Sequence, residues 1–163
     1  MNKEGYIAAK KFFDKHKKIK NTATAVQKGS EILIYVTYPV FLAVLFFPNN
    51  IFWLKSAAVC GIGFVLVSLF RRFYNAPRPY QMYDITPVIN KQTQGCSFPS
   101  RHCFSAAVIA VSVSVINLPL GIFLGALALI IAALRVAFGV HFIRDVAFGI
   151  LLGALFGAVQ YFI

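Results

Sequence analysis

The chain has 163 residues, of which 59% are hydrophobic and only 13% are charged, and its mean hydropathy is +0.73. A soluble domain carries roughly 25% charged residues, so this composition excludes an ordinary water-soluble globule and predicts a single-domain membrane protein with several spans. The formal net charge is +11, and eight of the ten lysines lie within the first 28 residues. Because anionic lipid attracts basic segments beside a membrane, we expect these lysines to contact the lipid bilayer and not nucleic acid.

The N-terminal segment, residues 4–27, alternates apolar and lysine-rich positions. Such a pattern is typical of an amphipathic helix that lies on a membrane without crossing it. Four apolar residues can share one side of this helix: Tyr6, Ile7, Phe12 and Phe13. A disordered basic tail is the alternative. The sequence therefore divides into a basic amphipathic segment, residues 1–29, and a membrane domain, residues 30–163.

Five apolar runs follow, at residues 32–47, 51–70, 99–116, 118–134 and 142–163. A helix needs about 20 residues, or at least about 17, to cross roughly 30 Å of hydrocarbon. All five runs qualify when their flanking residues are included, although the fourth is marginal. They predict an all-α, polytopic membrane helix bundle of about five transmembrane helices plus the N-terminal amphipathic helix. In the last run Gly149, Gly153 and Gly157 share one helix face, which predicts close packing against a neighbouring helix.

Polar residues between the runs are concentrated in two connections, residues 71–98 and 135–140. Counting the membrane crossings places both connections on the same side of the membrane as the N-terminus. The start of the third run, residues 99–102, lies on that side too. We therefore expect side chains from these three stretches to meet in one site.

Three arginines in these stretches are candidates for binding an anion: Arg71, Arg78 and Arg135. Their planar guanidinium groups match the geometry of phosphate oxygens. A lone arginine at a helix end more often anchors the helix at the membrane interface, which is what we expect of Arg72 and Arg144. Several arginines gathered beside two histidines favour an anion site.

The third run opens with a possible helix N-terminus. Pro99 suits the first turn, and Ser97 can cap it. Ser100, Arg101 and His102 would then present side chains and free backbone N–H groups, and such a helix end binds phosphate through its donors and its dipole. The alternative is that the two serines only cap the helix.

His141 and Asp145 stand four residues apart, which places them within reach of each other on one helical face. A carboxylate that accepts from one imidazole nitrogen fixes the tautomer and leaves the other nitrogen free to attack. His102 is then available to protonate a leaving oxygen. These three residues are also a familiar set of zinc ligands, but the nearby arginines would repel a cation, so we expect no metal.

Together these segments resemble the type 2 phosphatidic acid phosphatase (PAP2) family, whose site is related to that of the vanadium haloperoxidases. The family pattern is a basic residue, six residues and Arg-Pro, then Pro-Ser-Gly-His, then Ser-Arg, five residues, His, three residues and Asp. In this chain the first segment runs from Arg71 to Arg78-Pro79, and the second is Pro99-Ser100-Arg101-His102. The third runs from Leu134-Arg135 through His141 to Asp145. Arg71 stands where the family usually has Lys, Leu134 where it has Ser, and Arg101 where it has Gly.

The resemblance implies a metal-independent phosphatase, without a cofactor, that acts on a membrane lipid: undecaprenyl diphosphate or another polyprenyl diphosphate, phosphatidic acid or phosphatidylglycerophosphate. It implies that His141 is the nucleophile and forms a phosphohistidine, that Asp145 orients it, and that His102 is the general acid. The residues implied to hold the phosphate are Arg71, Arg78, Ser100, Arg101 and Arg135. Arg101 would either add a cation that suits a diphosphate or point outward.

The alternative function is a catalytically silent membrane protein that binds anionic lipid or a partner, and the presence of all the predicted catalytic side chains favours the enzyme. We expect a multi-pass protein of the cell membrane, and nothing in the sequence indicates its oligomeric state. Every Lys and Arg except Lys55 falls on the side of the site, so the positive-inside rule predicts a cytoplasmic site. The family resemblance implies the outer face. We favour the cytoplasmic face.

Overall fold

Helices make up the regular structure of the computed structural model, which describes residues 1–48, 50–91 and 93–162. They are, in chain order, α1 (Lys3–Lys15), α2 (Lys17–Phe46), α3 (Phe52–Tyr74), α4 (Pro79–Met82), α5 (Arg101–Ile116), α6 (Leu118–Ala137) and α7 (Ile143–Ala158), followed by a 3-10 turn at Val159–Tyr161. No strand occurs in the described ranges, and the predicted all-α class is confirmed. The last residue of the fifth apolar run, 163, lies outside these ranges.

Four stretches are long and apolar enough to cross a membrane: Lys17–Phe46, Phe52–Met82, Leu118–Ala137 and Ile143–Tyr161. The fourth apolar run, expected to be marginal, forms the 20-residue α6 and qualifies, whereas the third forms α5, an apolar helix of only 16 residues. A helix of that length rises about 24 Å, less than the roughly 30 Å of hydrocarbon. The apolar run whose helix is shorter than the hydrocarbon layer is therefore the third and not the fourth.

The short helix α5 is the central helix of the bundle. It packs most extensively against α7 and α6, and ten of its 16 residues are buried. The surrounding helices instead expose many large apolar side chains, as expected for faces that meet lipid. Because protein surrounds α5 on its sides, its length is set by its neighbours and not by the thickness of the bilayer.

The N-terminal segment is helical and packs on the loop that follows α6. After α1 ends, α2 runs without a break through residues 29 and 30, so the boundary between a basic segment and a membrane domain stays a prediction. Tyr6 and Phe13 of α1 are buried, and the Phe13 ring lies edge-on to the Phe138 ring, with centroids 5.3 Å apart. These two rings of the predicted apolar side of α1 thus pack against the protein, because the loop offers them an aromatic surface that no local sequence pattern reveals. Phe12 remains exposed.

The predicted close packing of the α7 glycines is confirmed. A Cβ atom added at Gly149 would lie 2.6 Å from the Ser100 carbonyl oxygen, and one at Gly157 would lie 2.6 Å from the Val111 Cβ. At Gly153 the added atom would lie 2.8 Å from the Ala107 Cβ. These separations are shorter than van der Waals contact, so the backbones of α7 and α5 approach each other only because these residues have no side chain.

We expect Gly153→Ala to destabilise the protein by about 1–3 kcal/mol, because the new methyl group must push α7 away from α5. Gly125→Ala is the matched control, since Gly125 lies in the interior of α6 and a Cβ there would have no neighbour within 4 Å. Alanine at that position should be neutral or stabilise the helix by up to about 1 kcal/mol. Thermal unfolding in detergent measures both variants. Equal shifts in Tm for the two would contradict the packing argument.

Candidate active site

Side chains from three helices and two loops surround one polar cavity of about 210 Å³. The residues that line it are Ser68, Arg71, Arg78, Lys91, Thr93, Cys96, Arg101, His102, Arg135 and His141. Six of the eight sequence-predicted site residues are among them. The other two, Asp145 and Ser100, are fully buried and lie behind the cavity wall. The three polar stretches therefore meet, as the count of membrane crossings predicted.

His141 lies in the turn between α6 and α7, with its Nδ1 atom 3.5 Å from Oδ2 of Asp145. The interpretation that both residues share a helical face is wrong, because α7 begins only at Ile143. Asp145 is the third residue of α7, and its carboxylate accepts from the backbone N–H of Phe142 at 3.0 Å. This N-terminal capping contact turns the carboxylate back toward the preceding turn, and so toward His141.

Ser97 is a member of this arrangement that the sequence reading misassigned. Its hydroxyl donates to Oδ2 of Asp145 and lies 3.3 Å from Nδ1 of His141, so it does not cap α5. The residue at the cap position is Ser100, and its hydroxyl has no hydrogen-bond partner among the described residues. The backbone N–H of Ser100 instead donates to the Asp145 carbonyl at 2.8 Å. The loop before α5 thus contacts both the side chain and the backbone of Asp145.

Burial lowers the pKa of His141 to about 4, and the nearby Asp145 carboxylate only partly opposes this effect. The imidazole is therefore neutral at pH 7. With Nδ1 facing Ser97 and Asp145, the remaining lone pair belongs to Nε2. A neutral ring with one oriented nitrogen and one free nitrogen is the state that a nucleophilic histidine requires.

Arg71 and Arg78 hold the loops that form the cavity wall. Arg71 donates to the Ser97 carbonyl at 3.2 Å and also to the carbonyls of Cys96 and Pro99. Arg78 donates through Nε to the Gly95 carbonyl at 3.0 Å and through Nη1 to the Val140 carbonyl at 3.4 Å. Both guanidinium groups thus satisfy backbone carbonyls while they line the cavity, and they bring two positive charges to it.

Arg135 is held by a second charged residue, Glu31 of α2. Nη2 of Arg135 lies 2.7 Å from Oε1 of Glu31, and the Gln27 side-chain amide donates to the same oxygen at 2.9 Å. The sequence reading missed Glu31. Two sequence features could have identified it. Glu31 is the only acidic residue in α2, and it directly precedes the first apolar run, on the same side of the membrane as Arg135. A paired acid here fixes the direction of the guanidinium group.

Arg101 and Lys91 add two further cations. The Arg101 guanidinium lies over the Phe64 ring, 5.1 Å from its centroid, and the side chain lines the cavity. Arg101 thus lines the cavity while it remains exposed. Lys91 was missed because it stands alone in a long connection. Burial lowers its pKa, and the charges of Arg78 and Arg135 lower it further.

Comparisons with known proteins show the family and the fold. The model of the PAP2 superfamily matches residues 52–163, more than half of the chain. The structure is similar to the crystal structure of LpxE from Aquifex aeolicus, with 28% sequence identity, a TM-score of 0.70 and coverage of 84% of each chain. It is also similar to the first transmembrane PAP2-type phosphatidylglycerolphosphate phosphatase from Bacillus subtilis, with 22% identity, a TM-score of 0.65 and coverage of 96% of this chain and 90% of that chain. No curated protein sequence gives a significant match.

Proposed function

Because the chain belongs to the PAP2 superfamily, we propose that it is an integral membrane phosphatase that hydrolyses the phosphomonoester or diphosphate of a membrane lipid through a phosphohistidine. The observation that carries the proposal is the buried His141, held between the Asp145 carboxylate and a cavity bordered by cations. The candidate substrates are a polyprenyl diphosphate, phosphatidic acid and phosphatidylglycerophosphate.

In the proposed reaction Nε2 of His141 attacks the phosphorus atom. The bond from phosphorus to the leaving oxygen breaks, its electron pair stays on that oxygen, and protonated His102 supplies the proton. The negative charge of the bound phosphate favours this protonated form. Water then attacks the phosphohistidine and returns a proton to His102, which releases inorganic phosphate and restores neutral His141. Asp145 keeps the proton of His141 on Nδ1 throughout and stabilises the charge that the ring gains in the first step.

Negative charge accumulates on the phosphate oxygens in the transition state, and the cations of the cavity are positioned to stabilise it. Arg71, Arg78 and Arg135 reach the cavity from three different segments, so together they contact different oxygens of one phosphoryl group. Their fixed hydrogen bonds mean that little reorganisation accompanies the reaction. We propose that these guanidinium groups take the place of a metal ion in this chemistry.

The lipid part of the substrate is supported by an apolar groove next to the cavity. The groove, of about 280 Å³, lies between α3 and α7 and is lined by residues that include Phe70, Phe98 and Phe148. Val67 and Phe70 of the groove alternate along α3 with Ser68 and Arg71 of the cavity. A molecule with its phosphate in the cavity therefore has an apolar surface available for its chain.

We further propose that a diphosphate is preferred over a monophosphate. Three arginines already suffice to surround one phosphoryl group, and Arg101 and Lys91 bring the number of cations in the cavity to five. Arg101 stands at the N-terminal end of α5 and Lys91 in the facing loop. A second phosphate would neutralise these two charges, which a monophosphate leaves unpaired.

The site is proposed to face the cytoplasm, because the lysines of α1 and of the start of α2 lie on the same side of the membrane as the cavity. These lysines take no part in the proposed chemistry, so the positive-inside rule applies to them independently of the site.

We expect wild-type protein in detergent to release phosphate from a panel of lipid phosphates with EDTA present. His141→Ala should lower kcat by at least about 1000-fold, because the attacking nitrogen is removed. His16→Asn is the matched control, since His16 is the one histidine outside the cavity and lies exposed between α1 and α2. No release from any substrate by correctly folded wild-type protein would instead support a silent lipid-binding protein. Equal release by His141→Ala would also refute the mechanism, and loss of activity with EDTA would refute metal independence.

Lys91→Ala should lower kcat/KM for a diphosphate by about tenfold, the value of one charge-assisted contact of about 1.4 kcal/mol, and affect a monophosphate much less. The lowered pKa means that Lys91 loses its proton as pH rises through a value below that of an ordinary lysine. We therefore expect KM for the diphosphate to increase at alkaline pH in the wild type. In Lys91→Arg the charge persists and this increase should disappear. The same loss for both substrates would argue against a second phosphate subsite.

Cys96 provides the test of orientation, because it is partly exposed at the cavity while Cys60 and Cys103 are buried. With the site in the cytoplasm, an impermeant thiol reagent should label Cys96 in permeabilised cells and not in intact cells. Cys96→Ser reports the background labelling. Labelling of Cys96 in intact cells would place the site on the outer face.

A further inference from the structure

The helix α1 lies outside the part of the chain that the family model matches, yet it contacts the turn that carries His141. Tyr6 of α1 is only 2% exposed, and its hydroxyl donates to the backbone carbonyl of His141 at 3.2 Å. This is a contact between residues 135 positions apart in sequence. Nothing in the three family motifs assigns a role to it.

An aromatic cluster surrounds this hydrogen bond. The centroid of the Tyr6 ring lies 6.0 Å from that of Tyr83 and 6.1 Å from that of Phe142. The Phe142 and Tyr83 centroids are 6.0 Å apart. Phe142 directly follows His141. The cluster therefore contacts the residue after the histidine from outside the cavity, which none of the three rings lines. Phe13 packs on Phe138 at the start of the same turn.

The contact from Tyr6 complements the backbone hydrogen bonds within the turn that carries His141. Gly139 adopts a φ of +72°, a conformation that only glycine tolerates easily. The backbone N–H groups of Val140 and His141 both donate to the carbonyl of Arg135, at 3.1 and 3.3 Å. These bonds fix the amide side of His141, whereas the contact from Tyr6 fixes its carbonyl side. The two together set the direction of the Cα–Cβ bond and thus of the imidazole.

We propose that Tyr6 is a positioning residue for the nucleophile, and that α1 is a clamp on the catalytic turn. This inference rests on the proposed function of His141. The hydroxyl is available as a donor at every pH of interest, because burial raises the pKa of Tyr6 to about 12. Tyr6 acts through the backbone of His141 and does not line the cavity, so it should affect the attack on phosphorus more than the binding of phosphate.

The test compares Tyr6→Phe with the wild type in the full-length protein. Phenylalanine keeps the ring in its cluster and removes only the hydroxyl. We expect kcat to fall by about tenfold, since small displacements of a reacting group have large effects on rate, while KM and Tm stay close to the wild-type values. Tyr161→Phe is the matched control, because its hydroxyl lies 3.0 Å from Ser114 at the other end of the bundle.

A spectroscopic readout separates positioning from a general effect on folding. In protein labelled with ¹⁵N-histidine, Tyr6→Phe should shift the ring signals of His141 and leave those of His16 unchanged. An unchanged kcat with an unchanged His141 signal would overturn the proposal. A loss of activity that parallels a loss of folded protein, or that Tyr161→Phe reproduces, would overturn it as well. If His141→Ala is as active as the wild type, the proposed function has failed, and the His141 signal alone then decides whether Tyr6 fixes this turn.

Discussion

The burial of positive charge next to an apolar helix bundle is the constraint on which the rest of this structure depends. A buried cation without partners is strongly destabilising. Arg71 and Arg78 meet this constraint with backbone carbonyls of the loop before α5 and of the turn before α7, and Arg135 meets it with Glu31. The arginines therefore shape the loops around themselves. The resulting cavity is bordered by the fixed positive charges of these three guanidinium groups.

The central packing of the bundle determines where His141, the proposed nucleophile, lies. Because Gly149 allows the backbone of α7 to approach Ser100 closely, the N–H of Ser100 reaches the Asp145 carbonyl at 2.8 Å. Asp145 is thereby fixed against the loop that contains Ser97, and its carboxylate is fixed against His141. The glycine face of α7, which the sequence predicts as a packing feature, thus contributes to the alignment of the proposed catalytic side chains.

Much of the site could be predicted from the sequence, because the number of membrane crossings decides which connections share a side. That argument brought His102, His141 and the arginines together without any knowledge of side-chain geometry. It failed where a contact depends on tertiary direction. The position of Ser97 shortly before Pro99 predicted a helix cap, but its hydroxyl donates to the Asp145 carboxylate instead. The proximity of His141 and Asp145 was predicted from helical periodicity, whereas it arises from a capping contact at the start of α7. Lys91 and Glu31 belong to no motif, and their roles follow only from the fold.

The residues proposed to contact the phosphate and some of the residues that orient them come from different parts of the chain. Every residue proposed to touch the phosphate lies within residues 52–163, the part that the family model matches. Two contacts that orient those residues, Tyr6 to His141 and Glu31 to Arg135, come from α1 and α2. The residues of the proposed chemistry therefore lie in one part of the chain, and some of the residues that orient them lie in another. We therefore expect substitutions in the N-terminal helices to change the rate of the proposed reaction while all three motifs remain intact.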